Sequence, residues 1–247
     1  MSATEANSQS GKPLTLKHLT PFGVGGRRLC YVHPESPQYC VKVLRTDPER
    51  TIRIRKSKSW IPNHLRREYD NNQDERHSLE HLQTRIGSSM RSHFPWCHGE
   101  VETDIGKGLV LDLIRDADGK ISCSLREHIT RGLALEHFRP AFSEFGDFLM
   151  THAIDTRAIL DHNLALCRIS SDRWKCYLID GFGTSALLPL GRWIPGLARK
   201  RIRKKLDTAW MRFEQLEQSG GVSDALIQQS TWGQGMLNHR DAPTPET

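Results

Sequence analysis

Lys42 stands in the middle of the apolar run Cys40-Val41-Lys42-Val43-Leu44. A run of this length and composition reads as a short, mostly buried strand. An ammonium group placed there is costly unless it is paired or reaches water. A fold that accepts this sequence therefore has two solutions. It can bring an anion to Lys42, or it can leave the strand at a sheet edge where the lysine stem lies on apolar surface and its head is solvated. The first solution constrains the rest of the chain, because it calls for a neighbouring element that carries a carboxylate.

The flanking sequence supplies such elements. Leu14, Leu16 and Leu19 lead into the glycine turn Pro21-Phe22-Gly23-Val24-Gly25-Gly26, and Leu29 to His33 reads as a strand ended by Pro34 and Pro37. Strand, glycine turn, strand, tight turn and the Lys42 strand form an antiparallel meander. Gly23 and Gly25 would let backbone amides approach phosphate oxygens, although a glycine turn more often only closes a hairpin. Helix formers run from His64 to about Ile86 and offer two partners for Lys42, Glu68 and Glu75. Glu75 lies beside a stripe continued by Leu79 and Leu82, which favours it. Glu100 to Thr103 and Leu109 to Ile114 read as further strands around a glycine-containing turn.

The second half is mostly helical: 124–131, then 134 to about 151 with Phe138, Ala141, Phe142, Phe145, Phe148 and Leu149 at core spacing. Ile159–Leu166 and Trp174–Ile179 resemble short strands around a polar turn, and the chain closes on a helix with Ile202, Leu206, Ala209, Trp210, Phe213 and Leu216 on one face. Strands first and helices later predict an α+β fold. It divides into a sheet lobe at 14–115 and a short helical lobe at 116–217. The polar tails at 1–13 and 218–247 are expected to be disordered.

Asn163 and Asp180 each border one of the late strand-like segments, so a hairpin can bring them to one mouth; both are oxygen donors of the kind magnesium prefers. Glycine turn, lysine, helical glutamate, asparagine and aspartate, in that order, are the parts with which kinase-like folds hold a nucleoside triphosphate and its metal. The expected architecture is a two-lobed protein-kinase-like fold with ATP and Mg²⁺ as cofactors.

Other chemistries are disfavoured. Cys97-His98 has no second pair at metal-ligand spacing, Asp116-Ala117-Asp118-Gly119 lacks the closing glutamate of a calcium loop, and no GxSxG motif is present. The six cysteines lack CxxC spacing and are expected as reduced, mostly buried thiols. With no apolar run of spanning length and no signal segment in view, the cytoplasm is the expected location. The net charge of +6 is concentrated at 192–212, where eight basic residues face one acid. This is either a solvated helix face or, through 199–213, a docking surface for an acidic protein or anionic surface.

Several stretches together resemble the YrbL family, the PhoP regulatory network proteins of bacteria. They include Phe22-Gly23-Val24-Gly25-Gly26-Arg27-Arg28-Leu29, Cys40-Val41-Lys42-Val43, Asn163-Leu164 and Ile179-Asp180-Gly181-Phe182-Gly183. The resemblance implies a kinase-like fold and a regulatory context. By it, Lys42 contacts phosphate, Glu75 or Glu68 pairs with Lys42, Asn163 and Asp180 hold magnesium, and Arg157 is the catalytic-loop arginine. Four residues depart from an active kinase. Thr156, Ala158 and Leu160 stand where His, Asp and Lys are required, and Arg28 replaces the third loop glycine. Asp155 and Asp161 are the remaining carboxylates near the loop that could orient an acceptor. The resulting expectation is a regulatory ATP–Mg²⁺-binding pseudokinase with weak or no transfer. Against it stand an active atypical phosphotransferase and a non-nucleotide interaction domain that uses the basic helix.

Overall fold

The computed structural model describes residues 12–25, 27–46, 71–157, 159–182 and 195–222. Five antiparallel strands, β1 (Gly23–Val24), β2 (Arg28–Val32), β3 (Tyr39–Leu44), β4 (Cys97–Thr103) and β5 (Gly106–Asp112), form a sheet in the order β1-β2-β3-β5-β4. The Lys42 strand is thus central. The edge-strand solution, with a solvated lysine, does not apply.

The meander holds, but its first strand differs from expectation. The glycine run itself forms β1, with Gly23 opposite Cys30 and Val24 opposite Leu29. The leucine segment goes to the far side of the sheet instead. Leu14 N–H donates to Glu102 O at 2.9 Å, and Asp104 N–H donates to Leu14 O at 3.0 Å. The reason is burial: Leu14 and Leu16 join Tyr31, Val41 and Val43 in an apolar cluster on the outer face of the sheet, while Leu19 stays exposed. Gly108, opposite Val43 in the β3–β5 register, permits this packing; a Cβ there would lie 2.4 Å from the Val41 side chain.

Strand alternation sends the other set of side chains inward. Cys40, Leu109 and Leu111 on that face meet helix α1 (Asn71–Ile86), whose buried residues Asn72, Glu75, Leu79 and Leu82 lie on one stripe at helical spacing. Residues 64–70 of the expected helix, including Glu68, lie outside the described residues.

The later helices follow their sequence signals. Ser124 caps α2 (Leu125–Thr130) in a reciprocal capping box with Glu127. A 3₁₀ turn, Leu135–Phe138, leads into α3 (Arg139–Thr151), which packs on α4 (Pro195–Gln218). Gly146 of α3 allows that approach, since a Cβ would lie 3.0 Å from Leu206 Cδ1. Phe142, Phe145 and Leu149 are buried as expected, each contributing about 2 kcal/mol on transfer from water, whereas Phe148, Trp210 and Leu216 pack against the core only partly buried. One continuous apolar cluster runs from Leu79 and Leu111 to Phe145 and Phe213, joining the sheet to the helices.

Strands β6 (Leu164–Arg168) and β7 (Trp174–Leu178) form a separate antiparallel hairpin. The strand expected from Ile159 begins instead at Leu164. Asp161–Asn163 form a 3₁₀ turn before it, so Asn163 precedes the strand. All six cysteines are free thiols, five of them buried. No helix of the described residues is long and apolar enough to cross a membrane.

Candidate functional site

The inward face of the sheet and the β6–β7 hairpin meet at Lys42. Asn72 Nδ2 donates to Lys42 O at 2.8 Å, which ties α1 to β3. One turn further on, Glu75 Oε1 accepts from Lys42 Nζ at 2.7 Å. Lys42 Nζ also donates to Ile179 O at 2.7 Å, reaching the segment that carries Asp180. Of the two glutamates the sequence offers, Glu75 meets Lys42; Glu68 lies outside the described residues.

The hairpin performs the juxtaposition expected of it. Leu164 pairs with Leu178, and Ile179 N–H donates to Asn163 O at 2.8 Å, so Asn163 and Asp180 sit at one end of the β6–β7 ladder. Asp180 Oδ1 accepts from Gly181 N–H at 2.6 Å, and Arg157 N–H donates to Gly181 O at 3.1 Å, which joins the loop before Asn163 to this turn. Phe182 is buried against Phe94, with its ring centroid 6.0 Å from Lys42 Nζ. Gly23 and Gly25 lie in the β1–β2 hairpin, where Gly25 N–H donates to Arg28 O at 2.9 Å.

Sequence reasoning missed the functional weight of Arg28. It enters the arrangement only as a departure from a glycine pattern, yet its guanidinium is buried at the centre of the site. Nη1 pairs with Glu75 Oε2, and Nη2 donates to Asp180 Oδ2 at 2.6 Å. The signal lies in the strand register. Cys30 lies opposite Lys42 in the β2–β3 ladder, so Arg28, two residues earlier on β2, must project from the same face as Lys42.

Glu75 therefore holds two cations, and Arg28 bridges two carboxylates. Burial works against the Lys42 ammonium, but Glu75 overcomes it and raises the pKa above the ordinary lysine value. Burial likewise pushes the Asp180 carboxyl upward. The charges of Arg28 and Lys42, with hydrogen bonds from Arg28 and Gly181 N–H, outweigh that and hold Asp180 well below the usual carboxylate range. Half of the Asp180 side chain is nevertheless exposed.

The donor chemistry of Asn163 and Asp180 suits magnesium, but their present arrangement does not. The guanidinium already holds Asp180 Oδ2, and a divalent cation on the same carboxylate would meet a like charge at close range. Among the described residues, no three His, Cys, Asp or Glu side chains group in a way that could hold a metal ion.

The two carboxylates considered for acceptor orientation are both engaged elsewhere. Asp155 pairs with Lys205 and, at 3.2 Å, with Arg201 of α4. Lys205 also donates to Thr156 O. Asp161 takes a two-point contact from Arg126, with Nη2 at 3.2 Å from Oδ1. The partly buried Asp161 carboxyl is lowered from its ordinary value because hydrogen bonds from His162 and Arg126 outweigh the cost of burial. Ala158 lies outside the described residues.

The family described as PhoP regulatory network protein YrbL matches residues 14–214. The curated relatives named "Uncharacterized protein YrbL" from Escherichia coli (strain K12) and Shigella flexneri are each 28% identical over 205 residues, covering 81% of this chain and 86% of their own. Among solved structures, the Mycobacterium tuberculosis PknI kinase domain is 17% identical with a TM-score of 0.34, covering 67% of this chain and 58% of that one. Rad53 1-466 in complex with AMP-PNP is 10% identical with a TM-score of 0.45, covering 91% of this chain and 60% of that one. The chain thus spans less than two thirds of either of those chains. Its kinase-like character rests on its own geometry: a five-stranded antiparallel sheet, a strand lysine paired to a helical glutamate, and an asparagine and an aspartate at one end of a hairpin.

Proposed function

The chain belongs to the YrbL family, and from that premise we propose that it binds ATP in the cleft between the sheet and the β6–β7 hairpin, as a regulatory module with weak or no phosphotransfer. The observation that carries this reading is the Lys42–Glu75 pair at 2.7 Å. In protein kinases that pair must be formed before the lysine can contact the nucleotide phosphates. Here the pair is formed on a central strand beside a glycine hairpin.

Weak transfer follows from what surrounds the phosphate end. Phosphoryl transfer depends on positioning and electrostatic stabilisation more than on covalent work by the protein. The sequence carries Ala158 and Leu160 where an acceptor-orienting aspartate and a lysine are needed. Asp155 and Asp161 are held by α4 and Arg126 and do not replace them.

The test is thermal unfolding with ATP, with and without magnesium, on wild type and on Lys42→Ala and Asp180→Ala. A ligand that binds only the folded state raises the midpoint. A shift in wild type that is lost in Lys42→Ala supports the reading; no wild-type shift at millimolar ATP sinks it. A shift accompanied by steady consumption of labelled ATP would favour an active phosphotransferase instead.

A second reading concerns α4. Arg199, Arg201 and Lys205 are used internally, on Met150 O, Asp155 and Thr156 O, whereas Lys200, Arg203 and Lys204 are exposed. Those three form the surface that would dock an acidic protein or anionic membrane. Binding that persists when they are neutralised, or that ignores salt, contradicts this.

A further inference from the structure

We infer that the Arg28 guanidinium takes the place of a divalent cation in this cleft, so that the chain holds a nucleotide polyphosphate through Arg28 and Lys42 without magnesium. The inference takes its ligand from the nucleotide reading above, but its geometry stands independently.

The first observation is position. Arg28 donates to Asp180 Oδ2 at 2.6 Å, on the carboxylate that would otherwise take the metal, and its other terminal nitrogen pairs with Glu75. The guanidinium therefore sits between the lysine–glutamate pair and the aspartate. It is buried with a side-chain exposure of 8%, so its charge acts at short range on its protein partners rather than on water.

The second is charge balance. A cleft with one lysine against two carboxylates is net negative and repels a polyphosphate until metal ions are added. Here Arg28 and Lys42 offset Glu75 and Asp180, so among the described residues this group of four is neutral before any ion binds. Magnesium is then not needed to remove repulsion, and the guanidinium disfavours its approach.

The third is donor geometry. A guanidinium presents five N–H donors in a planar fork matched to carboxylate and phosphate oxygens. Its two carboxylate contacts use one direction on each terminal nitrogen and fix the orientation of the group. Burial works against the Arg28 charge, but the neighbouring Glu75 and Asp180 carboxylates outweigh it and keep the guanidinium protonated.

Two measurements on the full chain decide the matter. Mn²⁺ binding, followed by electron paramagnetic resonance without nucleotide, is expected to show no site in wild type tighter than about 1 mM. Arg28→Gln should gain a site at least about tenfold tighter, and Arg28→Gln with Asp180→Asn should lose it. In parallel, ATP affinity in excess EDTA and in excess magnesium should differ by less than about threefold in wild type. In Arg28→Gln, ATP should bind at least about tenfold more weakly in EDTA and recover with magnesium.

A submillimolar Mn²⁺ site in wild type that Asp180→Asn removes would overturn the proposal. So would loss of wild-type ATP binding in EDTA. If no form binds ATP in any buffer, the nucleotide reading fails, and the Mn²⁺ titration alone decides whether Arg28 occupies the cation site. If Arg28→Gln proves misfolded by circular dichroism, the two wild-type measurements still overturn or support the claim, and Arg28→Lys, which keeps the charge, should remain indifferent to EDTA.

Discussion

Replacing Glu75 by glutamine removes the charge that holds two buried cations while keeping the shape of the side chain. The Glu75 side chain is 3% exposed, and its partners Arg28 and Lys42 are 8% and 9% exposed. After the substitution, one amide oxygen remains to accept from two cationic groups. The nearest remaining carboxylate, Asp180, has half of its side chain exposed and already binds Arg28. Breaking one buried pair by removing a partner costs about 3–5 kcal/mol, because the other charge stays buried without compensation. With two cations affected, the upper half of that range is expected. Urea unfolding should show a lower midpoint at unchanged slope, and the thermal midpoint should fall by about 8–20 °C, at about 2–4 °C per kcal/mol for a chain of this size. A double-mutant cycle with Lys42→Met should return a coupling of about 1–3 kcal/mol. A total loss below about 1 kcal/mol, the range of exposed ion pairs, would refute the view that the cluster is a desolvated unit.

Two further perturbations probe the frame around the site. The Asp161 carboxyl is lowered in the folded chain, so the stability it contributes is complete above the unfolded carboxylate pKa of about 4 and is lost as the pH falls toward the folded value. Asp161→Asn should therefore be less stable than wild type at pH 7, with the gap closing below about pH 4 in acid-denaturation curves; a constant gap would contradict the assignment. Gly108→Ala should destabilise by about 1–3 kcal/mol, because its Cβ would lie 2.4 Å from buried Val41 and force the sheet face to shift; a neutral effect in urea would show that the packing yields more readily than the geometry implies.

The parts of the site that follow from local chemistry were legible in the sequence. A lysine inside an apolar run needs an anion, and the stripe of Leu79 and Leu82 placed Glu75 where it meets Lys42. The apolar segments flanking Ser170-Ser171-Asp172 signalled the hairpin that gathers Asn163 and Asp180. What escaped depends on register and tertiary approach. Arg28 reads only as the residue that replaces the third loop glycine, and the pairing of Cys30 with Lys42 is what puts it on the Lys42 face. The leucines at 14 and 16 carry a strand's composition, but the pattern cannot say that they pair with the far edge at Glu102 and Thr103. Asp155 lies near the loop in sequence, and the long reach of Lys205 from α4 decides its partner.

The central claim is that Lys42, set by Glu75, receives the phosphates of a bound nucleotide, and equilibrium titration with ATP tests it most directly. Wild type and Lys42→Met should be compared at matched folded fraction, confirmed by circular dichroism, with and without EDTA. The account predicts saturable submillimolar binding in wild type and a loss of at least about tenfold in Lys42→Met. Binding that is absent in wild type, or unchanged when the lysine is removed, would contradict it.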